Sequence, residues 1–150
     1  MNSKSIIIFA FVILASMGGF FALNPSYEKS IQAKFYYETG DYKQALSLAK
    51  EAFSLDVYNR MSSTIMAQSL LALKYVAYNE DAKKYMAQIN EIAQNEYITD
   101  AQRAKIRLMC QIMVDSYVKL APSVITDKEL VAKSREYNLK FEKLLEKVNR

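Results

Sequence analysis

The sequence predicts an all-α protein, and three observations carry that expectation. Glycine and proline are scarce, with three and two copies in 150 residues, while the good helix formers Ala, Leu, Lys, Glu and Gln are abundant. Apolar residues recur at steps of three and four along most of the chain after Asn24, which is the spacing of one helix face. No alternating, β-branched run is long enough to argue for a sheet. The architecture expected is an N-terminal transmembrane helix within residues 1–24, followed by a domain over residues 25–150 built from three antiparallel helix pairs.

Composition bounds the function classes. The chain is 51% apolar, so a core can form and disorder is disfavoured. A formal charge of +4 is mild, and the basic residues are spread among acidic ones, without the clustered stripe that marks nucleic-acid binding. Nucleic acid is therefore not an expected partner. Cys110 is the only cysteine, which removes any intrachain disulfide and any cysteine-based metal site. It lies in the apolar run from Ile106 to Val114 and reads as a small buried hydrophobe. Histidine is absent, and with it the commonest general base and metal ligand. No cofactor and no metal are expected.

The first element is the uncharged apolar run Ile6 to Leu23, preceded by Lys4. As a helix it would extend about 27 Å, close to the hydrocarbon thickness of a bilayer. Two readings compete: an uncleaved anchor, and a signal peptide cut after Gly18, with Ser16 and Gly18 as the small residues before the cut. Apolar character continues through Phe20, Phe21 and Leu23, which favours the anchor. Lys4 and the α-amino group before the run place the N-terminus in the cytoplasm. In a bacterium the rest of a single-pass inner-membrane protein would then face the periplasm.

Asn24 reads as a helix cap with Pro25 at the first helical position. The stretch Ala33 to Asp56, AKFYYETGDYKQALSLAKEAFSLD, is the most specific in the chain. Tyr36 and Tyr37 close one helix. Gly40 can adopt the left-handed conformation that ends it, and Asp41 can cap the next, with Gln44 three residues on. Tyr42, Ala45, Leu46, Ala49, Ala52 and Phe53 then recur at helical spacing. Ala45, Ala49 and Ala52 leave one face nearly bare, so the preceding helix can approach closely.

This hairpin resembles a tetratricopeptide repeat, a helix–turn–helix unit of about 34 residues. On that resemblance the unit runs from Ser26 to Asn59. Ala33 takes the small position and Tyr36 the aromatic position of the first helix. Gly40, Asp41 and Tyr42 form the turn, and Ala45 and Ala52 are the small positions of the second helix. Three positions depart from the pattern: Lys29 for an aromatic, Gln32 for Leu, and Val57 for the closing Pro.

A third helix is expected from Tyr58 or Arg60 to Ala77, with Asn79 as its stop. A fourth is expected over Glu80 to Gln94, with Ala82, Tyr85, Met86, Ile89 and Ile92 on its buried side; this pair reads as a degenerate repeat. Thr99, Asp100, Ala101 and Gln102 form a capping box for a fifth helix, which reaches about Leu120 and is ended by Ala121-Pro122. Thr126 to Glu129 reads as another capping box, opening a sixth helix to about Val148. Its stripe Leu130, Ser134, Tyr137, Phe141, Leu144 and Val148 is either a terminal helix lying on the stack or a partner-docking seam. The architecture as a whole is thus a short solenoid of three tetratricopeptide-like pairs behind a membrane helix.

No catalytic constellation is evident: without histidine there is no Ser-His or Cys-His nucleophile, and no glycine-rich phosphate loop lies outside the apolar run. A glutamate acid cleaving cell-wall glycan is a distant alternative without a local motif. Binding is the stronger expectation, because stacked hairpins present a concave face. The resemblance places that face at Tyr27, Ser30, Lys34, Tyr37 and Glu38 of the first unit. In the second unit it falls on Met61, Thr64, Gln68, Leu71 and Ala72. It implies a protein–protein interaction scaffold or accessory subunit of a bacterial envelope complex of the secretion, division or flagellar-motor type. Its partners would be proteins, with the membrane engaged through residues 6–23. A soluble periplasmic adaptor or chaperone is the alternative that signal cleavage would give.

Overall fold

The computed structural model describes the backbone of residues 3–122 and 126–149, and their side chains except at residues 3, 4 and 20–23. Among the described residues all regular structure is helical: α1 (Ser3–Leu23), α2 (Pro25–Glu38), α3 (Tyr42–Leu55), α4 (Arg60–Ala93), α5 (Asp100–Val118) and α6 (Lys128–Asn149). The chain divides into two compact units, Met1–Leu70 and Leu71–Arg150.

The N-terminal run folds as expected into a helix, but among the described residues no helix is long and apolar enough to cross a membrane. The described side chains of α1 run only from residue 5 to residue 19. Phe20, Phe21 and Leu23, which extend the apolar run in the sequence, have side chains outside the described residues. The absence, among the described residues, of a helix long and apolar enough to cross a membrane overturns the transmembrane helix, and with it the single-pass inner-membrane placement with a cytoplasmic N-terminus. Ile7, Phe9, Phe11 and Leu14 are exposed, on more than one face of α1.

In the first unit, α2 begins as its sequence dictates. Asn24 Oδ1 accepts the Ser26 N–H at 3.1 Å, and Pro25, which lacks an N–H, occupies a position that needs none. The helix ends at Thr39. Gly40 adopts φ +86°, and its N–H reaches the Tyr37 carbonyl at 3.1 Å while that of Asp41 reaches the Tyr36 carbonyl at 2.9 Å. These two bonds are the Schellman closure. Asp41 then caps α3, its Oδ1 accepting the Gln44 N–H at 3.0 Å. Ala33, Ala45, Ala49 and Ala52 are fully buried, and α2 packs on α3 along this bare strip. Lys29, out of place in the repeat pattern, crosses the hairpin to Glu51 at 2.6 Å.

A buried polar knot joins the helix ends of this unit. Asn59 is fully buried. Its Nδ2 donates to Ser26 Oγ at 2.8 Å and Ser30 Oγ at 2.9 Å. Its Oδ1 accepts the N–H groups of Met61 at 3.0 Å and Ser62 at 3.2 Å, capping α4. Ser26 Oγ in turn donates to the Ala52 carbonyl at 2.9 Å, and Ser30 Oγ to the Ser26 carbonyl at 2.9 Å. The start of α2, the end of α3 and the start of α4 are thus tied by one amide and two hydroxyls. Val57 replaces the turn-closing proline of the repeat pattern, and the turn is made by Asp56 instead, whose Oδ1 accepts the Tyr58 N–H at 2.9 Å.

The expected stop at Asn79 does not occur. Helix α4 runs unbroken for 34 residues, so the third and fourth expected helices are one, and the three antiparallel pairs are corrected to two pairs, α2–α3 before it in the chain and α5–α6 after it. The reason is local. Around Asn79 there is neither Gly nor Pro, and the Asn79 side chain does not cap the helix. It turns into the core, where its Oδ1 accepts the Ser134 hydroxyl at 2.8 Å.

In the second unit, α5 packs on α6, and the core collects Tyr75, Tyr78, Ala82 and Ile89 of α4, Ile106, Met109, Cys110 and Met113 of α5, and Phe141 of α6. The Thr99–Gln102 capping box forms as read. The last helix opens one residue later than read: Asp127, not Thr126, is the cap, its Oδ1 accepting the N–H groups of Glu129 at 2.8 Å and Leu130 at 3.1 Å. Helix α5 closes at Lys119, and Ala121 turns left-handed (φ 44°) before Pro122. The α6 stripe lies on the core, with Ser134 and Phe141 buried and Leu130, Tyr137, Leu144 and Val148 packed beside them. Within this core the Tyr75 and Tyr78 hydroxyls, Asn79 Nδ2 and Asn138 Oδ1 are buried without a hydrogen-bond partner among the described residues. Burial, and then the neighbouring Tyr117, holds both tyrosines above their ordinary range.

Asn59→Ala removes a cap and two bonds to buried hydroxyls, and is expected to destabilise the first unit by about 3 kcal/mol. Faster amide exchange in α2 and α3 would report it. Burial pushes the Cys110 thiol from 9.0 up to about 11. In that window the unfolded chain sheds the proton that the folded chain keeps, so stability is complete below pH about 9 and falls toward pH about 11. Melting temperature against pH should bend downward in that window. Cys110→Ala should remove the early part of the bend and leave the tyrosine-driven loss above pH about 10.

Candidate functional site

A groove of about 410 Å³ opens in the first unit, lined by Lys34, Tyr37 and Glu38 of α2 and by Arg60, Met61, Thr64, Ile65 and Gln68 of α4. Its two walls are helix faces placed side by side by the polar knot. Steps of three and four in each wall bring the lining residues to one side.

The floor is apolar. Ile65 is buried, Met61 is half-buried, and both pack with Ala33, Ala45 and Ala49 in the core of this unit. The Tyr37 ring stands edge-on to the Tyr42 ring, with centroids 5.3 Å apart, so the left-handed turn at Gly40 fixes the aromatic wall as well as the hairpin. The rim is polar. Lys34 Nζ lies 3.7 Å from Glu38 Oε1 on the exposed side of α2, a solvent-screened pair of small energetic weight. Arg60, Thr64 and Gln68 supply a guanidinium, a hydroxyl and an amide from α4. The groove is thus an apolar strip between polar edges, a composition common to ligand clefts.

Six of the residues assigned to the concave face therefore stand together: Lys34, Tyr37, Glu38, Met61, Thr64 and Gln68. The others stand elsewhere. Ser30 is fully buried in the polar knot. Tyr27 is half-buried and outside the groove lining. Leu71 packs beside the core of the second unit, and Ala72 is buried. The residues assigned to hold the hairpin, Ala33, Tyr36, Gly40, Asp41, Tyr42, Ala45 and Ala52, lie in its core or its turn. Arg60 and Ile65 complete the groove, where the sequence marks only a helix start and a helix face. Their common face with Met61, Thr64 and Gln68 is the signal that places them.

Among the described residues no group of three or more Cys, Asp or Glu side chains comes close enough to hold a metal ion. A larger hollow of about 710 Å³ lies along the outer face of α6, against Val131, Arg135 and Leu139. Pro122 and Thr126 line it as well. No family model, no curated protein and no solved structure matches the chain.

The placement separates structural from surface roles. Ser30→Ala is expected to destabilise the first unit by about 1 kcal/mol, since it strips an acceptor from Asn59. Thr64→Ala and Gln68→Ala should stay within about 0.5 kcal/mol of the parent. Urea titration of the three variants checks the order.

Proposed function

We propose that the first unit is a protein–protein interaction module of the tetratricopeptide kind, and that its groove takes a short segment of a partner protein. The observation that carries this reading is the convergence of six of the assigned side chains on one groove with an apolar floor and a polar rim. Two helices tied at their ends give that groove rigid walls, which lowers the ordering that binding would otherwise require. Tyrosine at the wall offers a ring for an apolar side chain and a hydroxyl for a backbone group, the combination enriched in binding hot spots. The chain then acts as a scaffold or accessory subunit, with specificity supplied by Lys34, Glu38, Arg60 and Gln68 around the rim.

The test is a screen of the purified protein against a library of short peptides, followed by Tyr37→Ala. The variant is expected to weaken captured peptides by about 2 kcal/mol, roughly thirtyfold, with an unchanged helical circular-dichroism signal. Unchanged affinity would remove Tyr37 from the site. A lost helical signal would make it a core residue.

A further inference from the structure

A second surface, independent of the groove above, lies in the second unit. A cleft of about 280 Å³ is lined by Met86 and Asn90 of α4 and by Lys140, Lys143, Leu144 and Lys147 of α6. Half of its lining is lysine, and no carboxylate lines it. The sequence does not show this concentration, because the lysines alternate with glutamates along the chain. The helix sorts them. Lys133, Lys140, Lys143 and Lys147 are separated by seven, three and four residues, which places all four on one stripe about 21 Å long.

One acid lies within the stripe, and Glu129 lies on the same line one turn before Lys133. Glu136 accepts from Lys140 at 2.6 Å, and that contact, with Lys133 adding to it, holds its carboxyl below the usual range. Lys143 and Lys147 have no carboxylate partner among the described residues. Four lysines against Glu136, with Glu129 one turn beyond the end, leave the stripe net positive, most of all over Lys140, Lys143 and Lys147. The cleft beneath is not polar throughout: Met86 and Leu144 are half-buried, pack beside the core and give it an apolar base.

We propose that this cleft docks an acidic amphipathic helix of a partner protein, its carboxylates on Lys140, Lys143 and Lys147 and an apolar side chain on Met86 and Leu144. Charge complementarity sets the sign of the partner. The lysine steps of three and four match carboxylates on one face of a helix. The cleft lining has neither the aromatic platforms nor the arginines on which nucleic acids are stacked and read, and its Met86–Leu144 base suits an apolar side chain.

The experiment uses the full chain and a fluorescein-labelled helical peptide of glutamates with leucine at every fourth position, read by anisotropy at about 0.15 M salt. The paired variant Lys143→Glu with Lys147→Glu is expected to lose about tenfold or more in affinity. Lys43→Glu with Lys50→Glu, the same charge change on the exposed side of α3, should leave it within about twofold. Met86→Gln should weaken the leucine-bearing peptide and spare polyglutamate. The proposal is overturned if the α6 pair binds like the parent. It is also overturned if polyglutamate or a single-stranded oligonucleotide binds as tightly as the leucine-bearing peptide, which would make the stripe a general polyanion surface. A circular-dichroism spectrum unchanged in each variant keeps these outcomes separate from unfolding.

Discussion

The amide of Asn59 is the constraint on which the first unit depends. One side chain caps α4 through its oxygen and holds two α2 hydroxyls through its nitrogen. Ser26 passes the connection on to the last turn of α3. An alanine strip alone lets two helices approach, but it does not fix their register, because alanine faces slide. Buried hydrogen bonds are directional, and leaving one unmade is expensive. The knot converts a close approach into a single arrangement, and the groove walls at Tyr37 and Met61 inherit their spacing from it.

The second unit holds most of the buried polar atoms that lack a partner among the described residues, with Ser69 Oγ the one in the first. Asn79 and Ser134 satisfy each other across the α4–α6 contact, while the hydroxyls of Tyr75 and Tyr78 and one amide atom each of Asn79 and Asn138 go without a partner among the described residues. A buried polar group that stays unpaired costs about 1–3 kcal/mol. Aromatic bulk offsets these penalties: Tyr75, Tyr78 and Phe141 fill the space between the helices, and taking their rings out of water stabilises the packed state. This core is held by volume, whereas the first is held by bond direction.

Much of the local structure was legible in the letters. Gly40 and Asp41 announced a left-handed stop and a cap, Thr99 and Gln102 a capping box, and Ala45, Ala49 and Ala52 a buried strip, because each signal acts within a few residues. What was not legible depended on partners far along the chain. Asn79 reads as a helix stop until Ser134, 55 residues away, gives its side chain a reason to face inward. Ser30 reads as a groove residue until Asn59 claims its hydroxyl. Arg60 reads as a helix start until α2 is placed beside it. The apolar N-terminal run was legible as a helix; its assignment as a membrane span was not sustained.

Helix α1 carries a thermodynamic consequence of its own. Its described isoleucines and phenylalanines, from Ile6 to Ile13, face outward on all sides, with Phe11 at 72% and Leu14 at 68% exposure. Each such side chain forgoes about 1.5–3 kcal/mol that apolar contact would return. Anything that covers such a helix in the folded state adds to stability by mass action, so that stability would depend on the concentration of whatever supplies the apolar surface.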